Sequence, residues 1–366
     1  MRVIVTGGGT GGHIYPALAI ADKFKEMDPE TEILYVGNEE GIEKDVVPKT
    51  GYPMELVDAR WLDKSSPWQL IKTGARVAKG VLEANRVMRK FKPDVVIGTG
   101  GYVCFPVIIA GKRFGARTFL HEQNAFPGLA NRTLEKYVNK VFLGFSDAAK
   151  YFKDPSKMVE AGNPVRKSFF SLNKTEARKK LGFPQDDFIV FSFGGSLGAE
   201  KINEVAFELM QVVNGHEKMR MVFGTGKWYY DSIIKKAEER GIVLKDNILI
   251  KDYIDDMENY LAASDLIISR AGALSVAETT VCGRACILIP SPNVTGNHQY
   301  YNAKAVADRG GAILIEEKDL TSEGLIKEVM HLKNNPEIAE KMGRAARACA
   351  PMKALDIIYD EIQAVL

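Results

Sequence analysis

Several short stretches carry groups able to handle a phosphorylated, hydroxyl-rich ligand. Gly7, Gly9 and Gly12 keep a G-x-G-x-x-G spacing and run directly into His13. Small residues so spaced let the backbone approach a pyrophosphate at a helix N-terminus, and an imidazole titrating near neutrality suits a general base. Gly194-Gly195-Ser196 combines backbone N–H groups, a hydroxyl and a helix dipole, the make-up of a phosphate cradle. Ser269-Arg270-Ala271-Gly272-Ala273 leads to Glu278, a carboxylate that either accepts both hydroxyls of a ribose or faces solvent. His121-Glu122-Gln123-Asn124 is dense in hydrogen-bonding groups suited to a sugar. Asn297-His298-Gln299 offers a further amide for sugar hydroxyls, while His298 itself reads more simply as a surface residue.

The first glycine spacing also opens dinucleotide-dependent oxidoreductases, with Glu39 or Glu40 as the ribose-binding acid. Two details oppose that reading: the loop ends in His13, and an equally glycine-rich loop recurs at Gly194. Neither clustered aspartates nor an H-x-x-H spacing marks a metal site, so no metal and no cofactor is expected; Asp255-Asp256 reads as a helix start. Cys104, Cys282, Cys286 and Cys349 form no disulfide framework and are expected to be reduced, mostly buried thiols.

Each of these stretches follows a short β-branched run and precedes an amphipathic segment. Val3–Val5 leads to the first glycine loop and a helix near Pro16–Met27, followed by strands at Ile33–Val36, Val95–Ile97 and Thr118–Leu120. The pattern restarts at Ile189–Phe193, with a helix over Glu200–Val213 and strands at Met221–Phe223, Ile248–Ile250, Leu266–Ser269 and Cys286–Ile289. Strands separated by helices imply parallel sheets with right-handed crossovers. The expected fold class is α/β: two doubly wound Rossmann-like domains facing a central cleft, with ligands at the carboxyl ends of the strands. The expected domains are 1–162 plus 351–366, and 163–350. A last helix near Met352–Leu366 carries Leu355, Ile358, Ile362 and Val365 on one face and needs a partner surface, for which the first domain is the candidate.

Composition agrees with this plan. A chain of 366 residues exceeds one ordinary core, and 46% hydrophobic with 26% charged residues excludes a disordered protein. With 49 Lys+Arg against 47 Asp+Glu, the net charge of +2 creates no global field for nucleic acid. The N-terminus lacks a signal-peptide pattern and no apolar run is long enough to span a bilayer, so a cytoplasmic location is expected. Between Trp61 and Lys92, apolar residues alternate with cations. Trp68 is the candidate membrane anchor there, with Lys72 and Lys79 meeting anionic lipid; the alternative is an ordinary amphipathic helix.

Taken together, the motifs resemble one family closely. They are Gly8-Gly9-Thr10-Gly11-Gly12-His13, Gly98-Thr99-Gly100-Gly101-Tyr102, His121-Glu122-Gln123-Asn124, Gly162-Asn163-Pro164-Val165-Arg166, Gly194-Gly195-Ser196, Ser269 through Glu278, and His298-Gln299 with Asn302-Ala303. In this order they look like the MurG family of bacterial N-acetylglucosaminyltransferases, which make lipid II for peptidoglycan. Two features depart from the family pattern: Leu197 stands where Gln is usual, and Asn293-Val294-Thr295-Gly296-Asn297 is not the commonest acceptor-side form.

The resemblance implies an inverting GT-B glycosyltransferase moving GlcNAc from UDP-GlcNAc to the C4 hydroxyl of MurNAc in lipid I, undecaprenyl-pyrophosphoryl-MurNAc-pentapeptide. Its partners are then UDP-GlcNAc, lipid I and an anionic membrane surface, without nucleic acid. The protein would sit peripherally on the cytoplasmic face of the bacterial inner membrane. His13 is the candidate base. Donor contacts carried over are Thr10, Gly11, Gly12 and Asn124 from the first domain, and Arg166, Ser196, Ile254, Ala273, Leu274, Ser275, Val276, Ala277, Glu278 and Gln299 from the second. Acceptor contacts would be Gly9, Gly100, Gly101, Tyr102, His121 and Glu122. A UDP-sugar 2-epimerase of similar architecture and a non-catalytic lipid-linked-sugar binding subunit are the competing readings.

Overall fold

The structure, a computed structural model, describes residues 1–59 and 67–366, with side chains of the helix Pro67–Phe91 described from residue 76 onward. Trp61, Trp68 and Lys72 lie outside the described residues in this sense. The chain divides into two compact units, Met1–Val165 with Lys353–Leu366, and Arg166–Met352.

The first unit is built on strands β1 (Arg2–Thr6), β2 (Glu32–Asn38), β3 (Met54–Val57), β4 (Val95–Gly98), β5 (Arg117–Glu122), β6 (Lys140–Leu143) and β7 (Met158–Glu160). They form one parallel sheet in the order β3-β2-β1-β4-β5-β6-β7. Side chains alternate between its faces. Ile4, Val36, Val96, Leu120 and Val141 enter one buried cluster, while Val3, Val5, Tyr35, Ile97, Phe119 and Phe142 enter the other. A sheet covered on both sides reads as continuous apolar runs, which is why its central strands are legible in sequence.

The expected boundary at 162/163 falls instead after Val165. Asn163 is buried in the first unit, its Nδ2 donating to the Gln123 carbonyl at 3.0 Å. The C-terminal helix, Ala354–Gln363, covers the helix Gly11–Met27 as expected of it. Ile358 and Ile362 are buried, Phe24 meets Tyr359 edge-on at 5.1 Å, and Lys23 pairs with Asp356 at 2.7 Å.

The second unit repeats the plan with β8 (Phe188–Phe193), β9 (Met219–Gly224), β10 (Ile248–Lys251), β11 (Leu266–Ser269), β12 (Ala285–Leu288) and β13 (Ile313–Leu314). This parallel sheet runs β10-β9-β8-β11-β12-β13. Val190, Ile268 and Ile287 pack with Val205, Leu209 and Val213 of the helix Glu200–Asn214. In each unit the strand order reverses beside the first strand, between β1 and β4 and between β8 and β11. Such a switch point opens a crevice at the carboxyl ends of the strands.

Candidate functional site

At the switch point of the first unit, the loops after β1 and β4 lock together. Gly8 N–H donates to Gly100 O at 3.2 Å and Thr99 N–H to Thr6 O at 2.8 Å. The Thr99 hydroxyl bonds the His13 carbonyl at 2.7 Å. Gly101 needs its positive φ of 85°, since a Cβ there would stand 2.4 Å from Gly8 O. The helix begins at Gly11 rather than near Pro16, with Thr10 as N-cap. Pro16 stands inside this helix, at its sixth residue, where it has no N–H to donate to the Gly12 carbonyl. His13 therefore sits in the first helical turn. Its Nδ1 lies 3.1 Å from Thr99 O and 3.2 Å from Gln123 Oε1, and its Nε2 has no hydrogen-bond partner among the described residues. Gly9, Thr10, Gly12 and Tyr102 are exposed around it, with Gly11, Gly101 and Asn124 half-buried and Gly100 buried.

Two expected acceptor contacts are corrected. His121 is buried, with its Nε2 2.9 Å from Gly162 O and its Nδ1 3.0 Å from Gln123 Nε2. Burial pulls its imidazole down to about 4, against a weaker opposing hydrogen bond to Gly162. Glu122 is also buried: Oε1 accepts from Asn124 N–H at 2.9 Å, and Oε2 from Gly128 N–H at 3.0 Å and Asn131 Nδ2 at 2.9 Å. Both side chains build the loop instead of facing a ligand. They are the last two residues of a strand buried on its two faces, whereas Asn124 lies two residues beyond the strand's end.

The glycine loop is held by an acid that sequence reading did not name. The carboxylate at the glycine loop is neither Glu39 nor Glu40 but the fully buried Glu43, which accepts from Gly9 N–H at 3.0 Å and Asn38 N–H at 2.9 Å. A Cβ on Gly8 would meet its Oε1 at 2.3 Å. This acid braces the loop from inside.

In the second unit, the turn after β8 contains Gly195 at φ 103° and Gly198 at φ 90° and leads into the helix Glu200–Asn214, whose N-terminus has no side-chain cap. Ser196 and Leu197 are exposed on that turn. A cavity of about 610 Å³ opens there, lined among others by Gly194, Gly198, Tyr229, Arg270, Ser291 and Gln299. Gln299 Oε1 accepts from Ser291 N–H at 3.0 Å, which leaves its amide nitrogen to donate. Arg270, which sequence reading assigned no role, pairs with Glu317 and reaches Ile289 O and Pro290 O at 3.3 and 3.2 Å.

Glu278 lies outside that cavity wall, in the helix Ala273–Cys282, whose Ala273, Val276 and Ala277 are buried and whose Leu274 and Ser275 are half-buried. Burial pushes its carboxyl up to about 7; Arg166 opposes the shift and Glu258 adds to it. Arg166 Nη2 stands 3.6 Å from Glu258 Oε2, so Glu258, which sequence reading missed, completes a cluster of two acids and one cation. Ile254 is buried with its side chain over Gly224. Hence the structure brings Arg166 to the two acids and, separately, Gln299 to the glycine turn.

Comparisons with known proteins agree along the whole chain. Residues 3–143 match the glycosyltransferase family 28 N-terminal domain and residues 189–358 its C-terminal domain. The UDP-N-acetylglucosamine–N-acetylmuramyl-(pentapeptide) pyrophosphoryl-undecaprenol N-acetylglucosamine transferase of Alkaliphilus oremlandii is 42% identical over 366 residues, covering 100% of this chain and 99% of its own. The enzyme of the same name from Acetivibrio thermocellus is 41% identical, covering 100% and 98%. The crystal structure of Acinetobacter baumannii MurG superposes with a TM-score of 0.78 at 25% identity, covering 99% of each chain. A putative UDP-N-acetylglucosamine 2-epimerase from Listeria monocytogenes, at 20% identity, TM-score 0.72 and coverages of 99% and 96%, shares the fold alone. On the strength of this end-to-end similarity, the chain belongs to the MurG family of N-acetylglucosamine transferases, within glycosyltransferase family 28.

Proposed function

We infer that this protein transfers GlcNAc from UDP-GlcNAc to the MurNAc of lipid I, giving lipid II for peptidoglycan synthesis. The observation that carries this reading is the 42% identity to a transferase of that activity over essentially the full length of both chains.

The chemistry we propose is an inverting displacement in which the MurNAc C4 oxygen attacks the anomeric carbon of GlcNAc as UDP departs. His13 Nε2, the imidazole nitrogen without a partner among the described residues, takes the hydroxyl proton. Charge developing on the leaving diphosphate is met by N–H groups of the Gly194–Gly198 turn and the uncapped N-terminus of Glu200–Asn214. Glu278 accepts the ribose hydroxyls, Gln299 donates its amide to the sugar, and Gly9–Gly12 with Gly100 and Gly101 leave room for acceptor phosphates.

The acceptor's polyprenyl chain ties the proposed reaction to the cytoplasmic face of the inner membrane. No helix among the described residues is long and apolar enough to cross a bilayer. The proposed contact is the helix Pro67–Phe91, where Leu82 is 61% exposed and Arg86 and Arg89 are exposed. Lys79, the other cation expected there, pairs with Asp58 at 3.3 Å and Glu83 at 3.4 Å, so its charge is already met in part by this surface.

Radiolabel transfer from UDP-GlcNAc to a lipid I analogue tests the activity. The expected outcome is label in the lipid product only when acceptor is present. Conversion of UDP-GlcNAc to its 2-epimer without acceptor would overturn it in favour of the epimerase.

A further inference from the structure

We propose that Gln123 is a positioning residue that, backed by His121, holds His13 as its Nδ1–H tautomer and so presents Nε2 as the lone pair that takes the acceptor proton. This inference rests on the reading of His13 as the base, and deepens it.

The argument runs inward from groups whose hydrogen-bonding role is beyond choice. The Gly162 carbonyl can only accept, so the His121 Nε2 that faces it at 2.9 Å carries a hydrogen. Buried among uncharged partners, with its pKa pulled down to about 4, His121 is neutral at physiological pH. A neutral imidazole has one N–H, so Nδ1 of His121 is an acceptor.

The amide of Gln123, itself 1% exposed, must then turn its nitrogen toward His121. Three acceptors confirm the orientation: Nε2 of Gln123 donates to Thr99 O at 2.6 Å, to His121 Nδ1 at 3.0 Å and to His121 O at 3.2 Å. An amide flipped the other way would set its oxygen against two carbonyls. Its Oε1 is therefore the atom turned toward His13, at 3.2 Å from Nδ1, while Thr99 O lies 3.1 Å from the same nitrogen.

Two carbonyl-type oxygens around Nδ1 demand a hydrogen there. In a neutral His13 this leaves Nε2 unprotonated, and it is the nitrogen with no partner among the described residues. When Nε2 gains the proton, the Nδ1–H bonds become charge-assisted and strengthen. The row thus selects the productive tautomer before reaction and stabilises the imidazolium after it. Its second acceptor is a neutral amide where many histidine bases have a carboxylate.

The test combines a spectrum and kinetics. The chain has five histidines, so selective ¹⁵N-histidine labelling and long-range ¹H–¹⁵N correlation report each tautomer, with His13→Ala assigning the His13 signals. In the parent protein we expect Nδ1–H for His13 and Nε2–H for His121. A parent His13 found as Nε2–H overturns the proposal, and this result needs no variant to fold. Gln123→Met, which keeps the volume but removes the acceptor, should leave a mixture of His13 tautomers. It should also lower kcat about tenfold, the scale of one charge-assisted hydrogen bond, with the KM for UDP-GlcNAc unchanged. If Gln123→Met leaves the His13 tautomer as in the parent, the positioning role of Gln123 is overturned. If the tautomer is lost while kcat holds, the positioning role stands and the assignment of His13 as the base falls instead.

Discussion

A Cβ placed on Gly100 would lie 2.6 Å from Nδ1 of His13 and 2.7 Å from its Cε1, at a backbone φ of 112°. The imidazole is therefore seated against a bare backbone, and the glycine is required both by its conformation and by the ring. Gly100→Ala should strain the loop by about 1–3 kcal/mol and push the ring off its acceptors. The expected result is a kcat reduced at least tenfold with a nearly unchanged donor KM, read in steady-state kinetics alongside the melting temperature. A variant that loses stability but keeps its kcat would detach the ring's placement from turnover.

Glu278 is half-buried, and desolvation raises its carboxyl to about 7 from 4.5. The folded state binds this proton more tightly than the unfolded state, so its contribution to stability is present below about pH 4.5 and is lost as pH rises through 7. Glu278→Gln should thus raise stability at pH 8 by about 2–3 kcal/mol, with the gain fading toward pH 4.5. The same variant should raise the KM for UDP-GlcNAc, because ribose hydroxyls would supply the donors the carboxylate lacks. Denaturant melts at the two pH values, with donor kinetics beside them, check both halves; a donor KM equal to the parent's removes Glu278 from the ribose.

Glu122 is predicted to behave in the opposite sense. Its oxygens satisfy Gly128 N–H, Asn131 Nδ2 and the backbone and side chain of Asn124. Glu122→Ala orphans several buried donors and should cost about 3–5 kcal/mol. Whatever enzyme remains folded at low temperature should show a lipid-acceptor KM close to the parent's. A selective rise in that KM without loss of stability would restore Glu122 as a substrate contact.

At the proposed membrane contact, Leu82 and Lys79 should separate. Leu82→Asp places a charge on an exposed apolar position and should weaken sedimentation with anionic vesicles severalfold. Lys79→Ala removes a cation already paired with Asp58 and Glu83 and should change it little. Equal vesicle binding by Leu82→Asp and the parent would move the contact to another surface.

The sequence by itself determined the two-unit parallel α/β plan, because central strands buried on both faces write their apolar runs and glycine turns in consecutive residues. Edge strands such as Met54–Val57 and Ile313–Leu314 are short and half-buried, and they left no comparable pattern. Sequence also identified His13, Glu278 and Gln299 as residues of interest, through local motifs. Only the tertiary structure separated the polar side chains that face a ligand from those that build the loop. Glu43 reaches the glycine loop from its own helix to bond Gly9, and Glu258, on the helix Met257–Ala263, meets Arg166 in a loop far away in the chain. Within His121-Glu122-Gln123-Asn124, the four residues look equally polar in sequence. The carbonyls of Thr99 and Gly162, distant in the chain, decide that Gln123 turns its oxygen toward His13. Hydrogen-bond direction is set by which partners can only accept, and those partners meet only when the chain has folded.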